Sequence, residues 1–238
     1  MPRLANWVRS NGPAASPLAK CTLAVTLAAT PAQTVINGRE MYECYAETIS
    51  PEPAQLLLCM NAGKKIGTLF AAKNTGDRLI VSGDLTLNTK DNTTLVNVLS
   101  FCNAHDDQFI NEVIVVGRLS KEAKVSDTNK SAARSLAVNR YNGKEEITDW
   151  FRLRGYSYAM ERLVAAPKGS LVMAHGCLEQ KNNRDGNPYV EIKCRTVKVH
   201  SKGKGGSPNP AQGTSAAGYD QEDFESSNDN DMPFDWSN

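Results

Sequence analysis

The segment Thr148-Asp149-Trp150-Phe151-Arg152-Leu153-Arg154-Gly155 alternates with a period of two, so in a strand Trp150, Arg152 and Arg154 share one face and Phe151 and Leu153 the other. A flat ring beside fixed cations can hold an unpaired polynucleotide. The ring stacks on bases, at about 1–3 kcal/mol each whatever the base, and the cations displace counterions from phosphates. Tyr141 and Tyr156 are further candidate rings, and Arg118, Arg140, Lys181 and Arg184 join Arg152 and Arg154 as candidate phosphate contacts. Simpler readings stand beside these. A strand tryptophan can belong to a core, a tyrosine at a barrel edge often only covers it, and a run of Lys and Arg can be a solvated face.

The elements that must position these residues are legible from period and turn signals. Val113-Ile114-Val115-Val116-Gly117-Arg118-Leu119 reads as a strand and Ala133-Arg134-Ser135-Leu136-Ala137-Val138 as a second. Asn142-Gly143 marks a hairpin into the strand of Trp150. Ser157 is a candidate N-cap for a short helix carrying Ala159, Leu163 and Val164, ended by Pro167 and Gly169. Ser170 to Leu178 and Tyr189 to Val199 complete five strands, joined by a loop at Asp185-Gly186. Five short strands with one helix between the third and fourth is the order of an OB-fold barrel.

Residues 1–105 repeat these landmarks faintly. Leu23-Ala24-Val25 matches Leu136-Ala137-Val138, and Asn37-Gly38 precedes the strand Met41 to Thr48 as Asn142-Gly143 precedes Trp150. Asp77 to Leu85 parallels Lys168 to Leu178, and Thr94 to Ser100 parallels Pro188 to Cys194, which indicates a duplication. Residues 1–17 and the stretch from Ser50 to Thr75, with Pro51 and Pro53, fit it poorly. The expected architecture is therefore all-β: two tandem OB-fold barrels over 1–105 and 108–200, each of five strands and a short helix. Residues 201–238 are too poor in apolar groups to offset ordering and are expected to be a disordered linker with an acidic tip.

Charge is divided unevenly along this plan. Of 27 basic and 26 acidic residues, seven acids and no cation fall beyond Lys204, leaving 27 cations against 19 acids in the body. Region 108–204 holds 18 Lys and Arg against 10 acids, and 1–105 holds 9 against 7, which places the stronger surface for a polyanion in the second barrel. Six scattered cysteines without a CxxC pair, and only three histidines, give no zinc spacing and read as buried free thiols of a reducing compartment. No long apolar run and no leader is found, so neither membrane insertion nor secretion is expected. Walker-type phosphate loops, GxSxG and HExxH are absent, so no enzyme and no cofactor are expected.

The blocks Asn111 to Leu119, Ser135-Leu136-Ala137-Val138-Asn139-Arg140, Thr148-Asp149-Trp150-Phe151 and Lys168-Gly169-Ser170-Leu171-Val172 resemble, in order and spacing, the OB domain of bacterial single-stranded DNA-binding proteins. The resemblance implies base stacking at Trp150, Tyr156 and Tyr141, with Arg152 as a nearby cation. It also implies a partner-binding tip that recruits replication, recombination and repair enzymes, here Asp229, Asp231, Met232, Pro233 and Phe234. This chain departs from the family at Asn182-Asn183, where a stacking ring is common, and at Asp235-Trp236-Ser237-Asn238, which follow the phenylalanine. Four OB domains usually surround the strand in this family, so two per chain imply a homodimer, located in the cytoplasm at the nucleoid. The alternatives are a specialised paralogue of plasmid, phage or primosome type, whose first barrel serves assembly, and an RNA-binding OB protein.

Overall fold

The computed structural model describes residues 18–203 apart from 37, 64, 88–92, 106, 142–144 and 184–185. Both expected hairpin signals therefore lie wholly or partly outside the described residues, as do Arg184, the start of the chain and the acidic tip.

The first barrel comprises β1 (Leu18–Leu27), β2 (Ala32–Ile36), β3 (Arg39–Thr48), β4 (Gln55–Asn61), α1 (Lys65–Ala71), β5 (Arg78–Leu87) and β6 (Thr94–Asn103). The second comprises β7 (Asn111–Leu119), β8 (Lys124–Val125), β9 (Ser131–Tyr141), β10 (Glu146–Tyr156), α2 (Ser157–Ala165), β11 (Leu171–Asn182) and β12 (Pro188–Ser201). Strand order is β2-β3-β4-β6-β5-β1 and then β7-β11-β12-β10-β9-β8, with β3–β1 and β7–β9 closing each half. Each half thus repeats one topology, including a parallel pair between its third and fifth barrel strands, β4–β6 and β10–β12. The expected fold of two tandem OB barrels is present.

The duplication is real, but two of its landmarks move. Closure occurs at Leu27↔Ala46 in the first barrel and Leu119↔Leu136 in the second, so β1 corresponds to β7 and β3 to β9. Leu23-Ala24-Val25 therefore corresponds to part of β7, and Met41 to Thr48 to β9, not to the strand of Trp150. The true counterpart of that strand is β4, hidden in the stretch beginning with Ser50. Its run Leu56-Leu57-Leu58-Cys59-Met60 is buried throughout and shows no alternation. The later landmarks hold as strands: β5 and β11 both shift register immediately before a glycine, Gly83 and Gly176. The match of β6 with β12 is offset by two residues, Thr94 answering to Val190 and not Pro188. A Cβ on Gly83 would lie 2.2 Å from the Asn97 carbonyl oxygen, and one on Gly176 2.0 Å from that of Lys193. Close backbone approach at the bulge excludes any side chain in both halves.

Alternation places β10 as expected: Phe151 and Leu153 enter the core while Trp150 is exposed. Helix α2 follows, but Ser157 is not its cap. The cap position is Tyr156, with no side-chain hydrogen bond, and Ser157 opens the helix at φ 44°, a left-handed geometry that stores strain in a non-glycine residue. The other end of α2 is tied to β9 by Arg134, almost fully buried, whose guanidinium donates to the Leu163 and Ala166 carbonyls at 2.6 and 2.5 Å. Carbonyls left over at a helix C-terminus favour such a cation. All six cysteines are free; burial pushes Cys21, Cys59 and Cys194 up to about 12, whereas Cys102 is exposed and Cys177 half-buried. Strand β12 runs through Ser201 and pairs it with Leu171, so ordered chain crosses the expected boundary at residue 200.

Two sets of contacts join the barrels. Antiparallel pairing of β1 with β7, from Leu18↔Val116 to Leu23↔Asn111, makes one continuous sheet. Each barrel also rests the end of its β5 or β11 on the other. The Gln55 backbone N–H donates to Gln180 Oε1 at 3.0 Å, and Lys181 Nζ meets Glu52 at 2.5 Å. Reciprocally, Arg140 Nη2 donates to the Leu87 carbonyl at 3.3 Å, while the Leu87 N–H donates to Asp149.

Candidate nucleic-acid interface

Strands β9, β10, β12 and β11 present the outer face of the second barrel. Register fixes which side chains share it: Ser135 lies opposite Arg152, Arg154 opposite Lys193, and Glu179 opposite Glu191. Trp150 stands out from this face at 55% exposure and Tyr141, at the end of β9, at 61%, so neither is a core residue. Tyr156 is half-buried, with Lys193 Nζ 5.6 Å from its ring centroid. Burial raises the Tyr156 phenol above its usual range, against the pull of the Arg154 charge.

The centre of the face is an ion cluster. Glu191, only 1% exposed, takes Arg154 Nε at 2.8 Å and lies 3.4 Å from Arg152 Nε. Burial pushes its carboxyl upward, and the two guanidiniums pull it back. Arg154 also donates to Ser131 at 3.1 Å and is itself buried, which corrects its expected place as a phosphate contact: its charge is committed inside the barrel wall. Arg152 lies nearer the surface and covers the Tyr189 ring, 4.4 Å from the centroid. Glu179 bridges Lys193 at 2.8 Å and Lys181 at 3.6 Å. Although burial works against its charge, Lys181 is held protonated above the ordinary lysine range by Glu52 and Glu179.

The remaining expected cations divide by surroundings. Arg118 is exposed and donates one bond, to the Gly169 carbonyl at 2.9 Å. Arg140 is committed to Asp149 at 2.6 Å and to Leu87, so it ties the barrels together, on the side of β9 opposite to Ser135. Burial raises the Asp149 carboxyl, while Arg140 and the Leu87 N–H lower it. Glu179 was not named as a site residue from sequence, and neither were three members of the face on β12: Tyr189, Glu191 and Lys193. Their alternation along β12 was readable, but only the parallel pairing of β12 with β10 brings them beside Arg152 and Tyr156.

This arrangement offers rings on a barrel face whose named cations, Arg152, Arg154, Lys181 and Lys193, outnumber its named carboxylates, Glu179 and Glu191. It suits a flexible polyanion with flat, apolar bases. Among the described residues no cluster of metal-ligating side chains occurs.

Two tandem OB-fold barrels, the second bearing a face of rings and cations, are the class of fold this geometry defines. Residues 110–200 match the single-strand binding protein family, which spans almost all of the second barrel. The chain is also similar in fold to the wild-type single-stranded DNA binding protein from Thermus aquaticus, with TM-score 0.59 and 14% identity, over 82% of this chain and 98% of that one. A deletion mutant of the Thermus aquaticus protein gives TM-score 0.56 at 14% identity over 84% and 100%. Both cover the two barrels together, so the tandem plan is shared. No curated protein sequence matches the chain.

Proposed function

We propose that this protein binds single-stranded DNA with little sequence preference and shields it, as a binding protein and not a catalyst. The observation that carries this reading is the exposed Trp150 ring on the same strand face as Arg152, with Lys193 further along that face, on a barrel that matches the single-strand binding family. Trp150 and Tyr141 take bases by stacking, with Tyr156 and Tyr189 at the edges of the same path. Phosphates run past Arg118, Arg152, Lys181 and Lys193, the last three partly released from their carboxylates as the strand arrives. Arg184, outside the described residues, is a further phosphate contact of this reading. The test is competition: poly-dT should displace labelled poly-dT from the full chain far better than RNA or duplex DNA does. A preference for RNA removes the reading.

The acidic tip, Asp229, Asp231, Met232, Pro233 and Phe234, recruits replication, recombination and repair enzymes, its apolar residues docking in a basic-rimmed pocket while its charge keeps it off an occupied DNA face. Two chains associate to present four barrels. Removal of 229–238 should leave a two-chain mass by light scattering and undiminished affinity for poly-dT, while abolishing capture of such enzymes. Loss of DNA binding, or a single-chain mass in the intact protein, contradicts these assignments.

A further inference from the structure

The second barrel's face has a position-by-position counterpart in the first. The closing rungs Leu27↔Ala46 and Leu119↔Leu136, the bulges at Gly83 and Gly176, and the parallel rungs Leu58↔Val96 and Leu153↔Ile192 all give the same correspondence. Under it Trp150 is replaced by Gln55, Arg152 by Leu57 and Arg154 by Cys59. On the fifth barrel strand Glu191 is replaced by Leu95 and Lys193 by Asn97. Strand β3 then adds two acids, because Glu43 and Glu47 stand where β9 has Ala133 and Ala137.

The exchange reverses the character of the face. Arg152, Arg154 and Lys193 outweigh Glu191 on the second barrel; at the matching positions and their β3 neighbours the first barrel has Glu43 and Glu47 and no cation. Leu57 and Cys59 are buried, so the ion cluster has become an apolar wall. One exposed ring remains, Tyr45, lying opposite Leu57. It sits between Glu43 and Glu47 on the same side of β3, so a base stacked on it would carry its phosphates toward two carboxylates.

The first barrel meets the second at a more useful place. Leu87 closes β5 against Arg140 and Asp149, and Asp149 immediately precedes Trp150. The contact fixes the start of β10, from which the exposed Trp150 ring projects.

We infer that each chain presents one single-strand face and not two: the first barrel's equivalent face is closed to polyanions by Glu43 and Glu47, and that barrel serves to brace β10 through Leu87. This inference rests on the proposed single-stranded DNA binding. It is tested on the full chain with poly-dT, measuring affinity and nucleotides covered per chain. Tyr45→Ala and Gln55→Ala, both at exposed positions, should leave affinity and coverage unchanged, while Trp150→Ala weakens binding about fivefold or more. The double variant Glu43→Lys with Glu47→Lys should increase the nucleotides covered, since it opens the closed face. A loss in Tyr45→Ala comparable to that in Trp150→Ala overturns the inference while leaving the function intact. A wild-type chain that ignores poly-dT overturns the function and this inference with it.

Discussion

Glu191→Ala is expected to destabilise the protein by about 3–5 kcal/mol, read as a lower urea midpoint. Its carboxylate is 1% exposed and lies between Arg154 at 2.8 Å and Arg152 at 3.4 Å, so alanine leaves two largely buried guanidiniums without their shared counter-charge. The cost comes from that desolvated charge more than from the lost bond, since a buried pair is near break-even when both partners are removed. The first barrel supplies the control, because it fills the same three positions with Leu57, Cys59 and Leu95. The triple variant Arg152→Leu, Arg154→Cys, Glu191→Leu should therefore stay close to wild-type stability while binding single strands less tightly. If Glu191→Ala instead leaves the midpoint unmoved, the cluster is not what holds this wall together.

Trp150→Ala should weaken single-strand binding by about 1–3 kcal/mol, roughly fivefold to 150-fold. Its ring is 55% exposed, so little core packing is lost and the urea midpoint should barely change. Trp150→Phe should retain most of the affinity, because stacking asks for a flat ring and makes no use of the indole N–H. An alanine variant with normal stability and undiminished affinity removes Trp150 from the site.

How far the fold could be read in advance depended on whether a strand faces water on one side. Strand β10 does, and its alternation located Phe151 and Leu153 in the core and Trp150 outside. Strand β4 is buried over Leu56 to Met60, so its unbroken run offers no period to distinguish it, and the prolines before it suggested a break. That one omission displaced the first half of the repeat by a strand. In the site, rings and cations on β10 were legible because they are neighbours in sequence. Tyr189, Glu191 and Lys193 reach them only through the parallel pairing of β12, which no local pattern encodes. Charge type alone also could not separate Arg152, near the surface, from Arg154, two residues on and buried, since the difference lies in what covers them.

Binding of single-stranded DNA by the second barrel's ring-and-cation face is tested most directly by titrating the full chain with poly-dT at increasing salt while following tryptophan fluorescence. Stacking on Trp150 predicts quenching that saturates at a fixed nucleotide ratio, with affinity falling linearly in the logarithm of salt as phosphate counterions are released. The Trp150→Phe protein should bind yet lose most of that quenching. Fluorescence indifferent to poly-dT, or binding that salt does not weaken, would contradict the account.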